Sequence, residues 1–208
     1  MPDFARTLGA AERHLKKVDA TLAPHIARVG PCQLERAQQF KPFDALLNSI
    51  VHQQLNGTAA QTIVGRVRTR FADGKWPTPQ VMAKARMPSL RACGLSTAKA
   101  LAIRDLAHKT LDGTVPTARV LHGLPDEAII ERLTQVRGIG PWTVQMMLMF
   151  RLGRLDVLPV DDYGVRKGFT QLYGHGELVG KQALATHAEA WRPYRAVASW
   201  YLWRVLDV

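Results

Sequence analysis

Two glycines around one isoleucine, Gly138-Ile139-Gly140, followed at once by Pro141, constrain this chain more than any other feature. Upstream, Pro125 opens a segment with Asp126 and Glu127 in its first turn and apolar residues at Ile129, Leu133 and Val136, the spacing of one helical face. That helix should stop at Gly138, because glycine permits a sharp turn at positive φ, and Pro141 suits the first turn of the helix that follows. Such a turn leaves amide N–H groups uncovered at a helix N-terminus, where they accept an anion without reading base identity. A plainer description also fits the same residues, a C-cap glycine followed by an N-terminal proline.

The residues that follow favour the anion grip. From Trp142 to Leu152 the chain is almost entirely apolar, so this helix should be buried on most sides. A helix of about 12 residues spans about 18 Å, and a loop of about nine residues from Gly153 can return the chain beside the hairpin. Asp161 and Asp162 would then arrive near the phosphate grip, at the start of a basic helix carrying Arg166 and Lys167.

Val136-Arg137-Gly138-Ile139-Gly140-Pro141-Trp142-Thr143, followed by Leu158-Pro159-Val160-Asp161-Asp162-Tyr163-Gly164-Val165-Arg166-Lys167, resembles the helix-hairpin-helix-Gly/Pro/Asp superfamily of DNA glycosylases. The nearest type is the alkylpurine enzyme, 3-methyladenine DNA glycosylase II, without the N-terminal β-domain that some bacterial members carry. The resemblance runs from about Phe43 to Trp203. It implies an all-α fold with two helical lobes around a cleft. The activity it implies is hydrolysis of the N-glycosidic bond of alkylated purines, of the 3-methyladenine and 7-methylguanine type, in double-stranded DNA after base flipping.

By the same resemblance Asp162 is the catalytic carboxylate and Asp161 its neighbour, a helix cap. A carboxylate stabilises the oxocarbenium character of the departing sugar or activates water. Trp142, Trp203, Met146 and Gln53 would form the base pocket; an aromatic wall suits a cationic lesion. Met146 stands where some relatives carry an aromatic. Gln54 aligns with the wedge that fills the gap left by the flipped nucleotide, with Leu55 as second choice. The amides of Gly138, Gly140 and Thr143 would hold phosphate, with Arg166, Lys167 and Lys99 as charge partners. A monovalent cation, Na⁺ or K⁺, would sit on the carbonyls of Thr134, Val136 and Ile139. In superfamily members that also cleave the strand, a Schiff-base lysine precedes the hairpin threonine; here Trp142 precedes Thr143, so the chain should be a monofunctional enzyme that leaves an intact abasic site. The alternatives are a non-catalytic helix-hairpin-helix DNA-binding protein and a glycosylase for another lesion class.

Bulk properties agree with a polyanion partner. The 208 residues carry 28 Lys and Arg against 17 Asp and Glu, and between Gln61 and Arg104 nine basic residues face Asp73 alone. The length is enough for a single domain spanning 1–208, with lobes at about 38–112 and at 1–37 plus 113–208. Two cysteines, Cys32 and Cys93, cannot ligate a four-cysteine iron–sulfur cluster and read as reduced structural thiols, so no further cofactor is expected. No apolar run reaches the length of about 18 residues that a membrane span needs, and the N-terminus lacks a signal-peptide core. The expectation is a monomer, not secreted, placed with cytoplasmic or nucleoid DNA in a bacterium or nuclear DNA in a eukaryote, whose partner is damaged duplex DNA.

Elsewhere the chain reads as helices. Residues 4 to 29 carry apolar Leu8, Leu15, Val18 and Leu22 opposite Arg13, Lys16 and Lys17, with breaks at Pro24 and Gly30-Pro31. Phe43, Leu46, Leu47, Ile50, Val51 and Leu55 mark one face of a helix starting after Pro42. Ser96 can cap a helix buried through Ile103, Leu106 and Ala107, and no stretch alternates like a strand.

Overall fold

The computed structural model describes residues 4–37, 39–174 and 176–207, and every regular element among them is helical. In chain order these are α1 (Phe4–Val18), α2 (Leu22–Val29), α3 (Pro42–His52), α4 (Gly57–Ala72), α5 (Pro79–Lys84), α6 (Met87–Ala92), α7 (Thr97–Leu111), α8 (Ala118–His122), α9 (Asp126–Leu133), α10 (Pro141–Phe150), α11 (Tyr163–Leu172), α12 (Lys181–His187) and α13 (Arg195–Arg204). Single 3₁₀ turns, Ala188–Trp191 and Val205–Asp207, follow α12 and α13. No described helix is long and apolar enough to cross a membrane.

The chain forms two compact units, Met1–Ala37 with Leu148–Val208, and Gln38–Met147. The sequence placed the second boundary at about 112, where the turn from Asp112-Gly113 to Pro116 begins; the structure places it inside α10. The reason lies in the polar ties of the segment between. Arg132 donates to the carbonyls of Thr114 and Gly113 at 2.8 and 2.6 Å, and the Arg137 amide donates to Asp105 of α7 at 2.7 Å. The Arg132 bonds hold α9 to the residues that directly follow α7, and the Arg137 bond ties the hairpin to α7 itself.

In the unit 38–147, α7 is the axis: α5, α3 and α6 all pack on it, and α4 packs on α3. Leu46, Leu47, Ile50, Leu90, Leu95, Ile103 and Leu106 are fully or almost fully buried there. Cys93 lies in this core and Cys32 in the other. Burial pushes both thiols up, Cys32 to about 11, which leaves them protonated and unreactive at neutral pH.

In the other unit, α13 packs against α1, α2 and α11. Its core includes Leu15, Leu22, Ile26, Val165, Phe169, Trp191, Tyr201 and Leu202. One sequence expectation changes here. Pro24 does not break the N-terminal segment; it sits in the first turn of α2, where its missing N–H has no partner to lose. The break comes instead at Asp19, whose buried carboxylate caps α2 through the Thr21 and Leu22 amides and accepts from Tyr173, His187 and Trp191. Burial would raise this carboxyl, and those donors hold it below its usual range.

Candidate functional site

The hairpin between α9 and α10 is shaped by what it buries. Val136 and Ile139 turn inward, 1% and 4% exposed, and this leaves Arg137, Gly138 and Gly140 on the surface. Gly138 takes φ +77°, a left-handed conformation that a side chain would strain. Gly140 differs: a Cβ added there would meet nothing within 4 Å, so neither packing nor φ requires glycine. Its smallness leaves room for something to approach from outside.

Several amides of the turn are already engaged. Arg137 donates to Asp105, Ile139 to the Val136 carbonyl at 3.0 Å and Val144 to the Gly140 carbonyl at 3.3 Å. No described acceptor takes the amide protons of Gly138 or Gly140. Thr143 is buried in the first turn of α10, among the amides that no intrahelical carbonyl can reach. The carbonyl-bearing residues Thr134, Val136 and Ile139 share this turn, Thr134 as the C-cap of α9.

Beside the hairpin, α3 ends in the segment Gln53-Gln54-Leu55. Gln53 donates from its side-chain nitrogen to the Gly138 carbonyl at 2.8 Å, tying this loop to the hairpin. Gln54 is exposed with φ +55°, one of two non-glycine residues with positive φ among the described residues, and Leu55 is 39% exposed. A long side chain held outward on a strained backbone is costly for folding and is characteristic of functional loops. Gln53, Gln54, Trp142, Thr143 and Met146 line a depression of about 880 Å³ in this unit, together with Asn48, His52 and Arg137. Trp142 is 44% exposed, so its ring is presented rather than packed away. The sequence did not single out Asn48, His52 or Arg137. His52 faces the Asn48 carbonyl through Nδ1 at 2.8 Å, which assigns the proton to that nitrogen.

In the other unit, Asp162 is the N-cap of α11. Its Oδ1 accepts from the Val165 amide at 2.8 Å and from the indole N–H of Trp203 at 2.9 Å. Trp203 in turn stacks on Phe150, with ring centroids 6.0 Å apart and planes 23° from parallel. Gly164 makes this possible. A Cβ there would fall 2.9 Å from Trp203 Cδ1 and 3.1 Å from both Asp162 Oδ1 and Trp203 Nε1, pushing the indole off the carboxylate. Trp203, expected at the base pocket, is thus also one of the two donors that hold this oxygen of Asp162. One carboxylate oxygen fixed by two donors sets the direction of the other.

Residues 47–194 match the family described as HhH-GPD superfamily base excision DNA repair protein. The chain belongs to this superfamily. It is 35% identical over 203 residues to DNA-3-methyladenine glycosylase 1 of Schizosaccharomyces pombe, covering 97% of this chain and 89% of that protein. The structure of S. pombe 3-methyladenine DNA glycosylase in complex with abasic DNA superposes with a TM-score of 0.85 at 34% identity, over 96% of this chain and 97% of that one. A DNA-3-methyladenine glycosidase from Bacillus halodurans gives 0.82 at 39% identity, over 92% and 88%.

Within this family framework, one sequence expectation changes, and two of the expected charge partners have partners inside the protein. Asp161 is not the helix cap; it pairs with Lys181, while Asp162 itself does the capping. The Lys99 ammonium donates to the carbonyls of Val51 and Gln53, at 2.7 Å each, and closes the C-terminal end of α3. Burial pushes its pKa down. Arg166 spends its Nε on the Val179 carbonyl at 2.9 Å and so fixes the loop before α12. Lys167 remains exposed, its ammonium 6.0 Å over the ring of Tyr163. Lys99→Met should leave two helix-terminal carbonyls without a donor, a loss of about 1 kcal/mol or more. At about 2–4 °C per kcal/mol for a chain of this size, thermal unfolding should move down by a few degrees. The salt dependence of DNA binding should not change, whereas a phosphate-binding lysine would lower its slope by about 0.9.

Proposed function

We propose that this chain is a monofunctional DNA glycosylase that releases alkylated purines from duplex DNA. The observation that carries the reading is the carboxylate of Asp162, held on one oxygen by the Val165 amide and the Trp203 indole. It stands in a chain 35% identical, over almost its whole length, to a protein named for 3-methyladenine release.

The chemistry follows from the substrate. Alkylation places positive charge on the purine, so the C1′–N bond breaks with its electron pair going to the base, which leaves neutral. The sugar becomes oxocarbenium-like, and a fixed anion next to it lowers the barrier more than a mobile one would, since no reorganisation is needed. Water then adds at C1′ and loses its proton, with Asp162 as acceptor. The target nucleotide must first leave the stack, at a few kcal/mol, least for a damaged base. Gln54, outward on its positive-φ backbone, or Leu55 next to it would fill the gap. The exposed ring of Trp142 offers the flipped cation a π-face worth about 1 kcal/mol. The amides of Gly138, Gly140 and Thr143 would hold a backbone phosphate, with Arg137 adding charge beside them.

Trp142 also stands where a strand-cleaving relative would carry its amine nucleophile, and an indole forms no imine. Purified protein should therefore release methylated purines, while deaminated and oxidised duplexes stay intact, and the product strand should break only after alkali is added. Nicking without alkali, or a borohydride-trapped covalent complex, would refute the monofunctional reading. Release from oxidised but not methylated DNA would refute the substrate class.

A further inference from the structure

The nine basic residues between Gln61 and Arg104 are not spent by the site described above. The structure gives five of them distinct places. Lys99 closes α3, Arg91 donates to the Leu95 carbonyl at 3.0 Å, and Arg68 lies over the ring of Trp76. Arg66 and Arg70 remain exposed on α4; Arg70 reaches Ser89 Oγ at 3.4 Å, and neither has an acidic partner among the described residues. With Thr62, Gly65 and Thr69 they line a groove of about 500 Å³ whose far wall is Ala92 and Cys93.

Three features say what this groove takes. α4, α5 and α6 contain no acidic residue, and Asp73, at the C-cap of α4, forms no ion pair with either guanidinium among the described residues. No large hydrophobic residue of α4 is exposed, so the apolar anchor that a protein partner would need is missing. Gly65 lies in the interior of a 16-residue helix, where glycine costs about 1 kcal/mol relative to alanine. Yet a Cβ there would meet nothing within 4 Å. Since nothing in the fold needs the space, the missing side chain serves something that comes from outside.

We propose that this face of α4 is a second backbone-binding strip, gripping phosphates of duplex DNA away from the lesion. α4 begins at Gly57, directly after the Gln54-Leu55 loop, and reaches Arg70 about 20 Å further on. Arg66 and Arg70 are one turn apart, about 6 Å along the axis, and so can meet neighbouring phosphates of one strand. Hydroxyls of Thr62 and Thr69 border the same track, and Gly65 lets the strand lie close. Contacts of this kind carry no sequence information and serve search along undamaged DNA.

The inference rests on the proposed function only in taking duplex DNA as the partner, so it is tested on undamaged duplex without any base release. The measurement is the slope of log K against log salt for a 30-base-pair-scale random duplex, about three turns of DNA, long enough to reach past the hairpin. Arg66→Ala/Arg70→Ala should lower the slope by about 1.8, from about 0.9 per lost phosphate contact. Arg66→Lys/Arg70→Lys should restore it, because a point charge suffices for counterion release. Gly65→Gln leaves the net charge unchanged and improves helix propensity, so it should unfold at the parent temperature or above while binding duplex several-fold more weakly. Lys16→Ala/Lys17→Ala, at exposed positions of α1, controls for net charge. An unchanged slope in the double alanine variant, or an equal fall in the α1 control, overturns the proposal. Absence of base release by the parent protein would overturn the proposed function and leave these binding results standing.

Discussion

Asp162→Asn is expected to reduce single-turnover release of methylated purine by about 10²- to 10⁴-fold, the range spanned by loss of a positioned charge or general base. Duplex binding should stay close to the parent value. The substitution is a clean test because asparagine is as good an N-cap as aspartate. Its side-chain oxygen can still accept from the Val165 amide and from the Trp203 indole, the two donors that Asp162 Oδ1 serves. Geometry is thus kept and charge removed. A variant that released base at the parent rate would show that Asp162 is only a cap, and a variant that lost binding and release together would assign it to DNA holding.

Gly168→Ala is expected to be the most damaging single-methyl change to the fold. Gly168 lies where α11 crosses α13, and a Cβ there would overlap the carbonyl oxygen of Leu202 and come within 2.8 Å of its carbon. Both are backbone atoms of a buried helix, so no rotamer change relieves the clash. Overpacking of this kind costs about 3 kcal/mol or more, against which the better helix propensity of alanine returns about 1 kcal/mol. The net loss of about 2 kcal/mol or more should lower thermal unfolding by roughly 4–8 °C, at 2–4 °C per kcal/mol. Because α11 carries Asp162 at its start and α13 carries Trp203, forcing the helices apart should also loosen the carboxylate and reduce base release at temperatures where the variant remains folded. A parent-like unfolding temperature would mean that the helices can separate without loss, contrary to the close approach seen here.

Much of the site could be read from local patterns, and the parts that could not share a cause. Gly138 is legible because positive φ at a helix end is a demand of the chain on itself, and the apolar faces of α3 and α7 because burial imposes a period. The protein partners of Lys99 and Arg166 were not legible because a basic side chain in sequence looks the same whether it meets solvent, phosphate or a protein carbonyl. Their carbonyl partners, at Val51 and Gln53 and at Val179, are fixed only once the helices have packed. Gly164 and Gly168 were missed for a related reason. Nothing near them in sequence asks for glycine; the demand comes from Trp203 and Leu202 on another helix.

The sequence by itself determined the helical elements, the exposed glycines of the hairpin, the carboxylate at the start of α11 and the replacement of a nucleophilic lysine by Trp142. Each is a property of a residue and its close neighbours along the chain. Only the tertiary structure decided where the units divide, which cations are committed to the fold, and that Trp203 steadies Asp162. Those depend on pairs far apart in sequence, where distance and desolvation, rather than residue type, choose the partner.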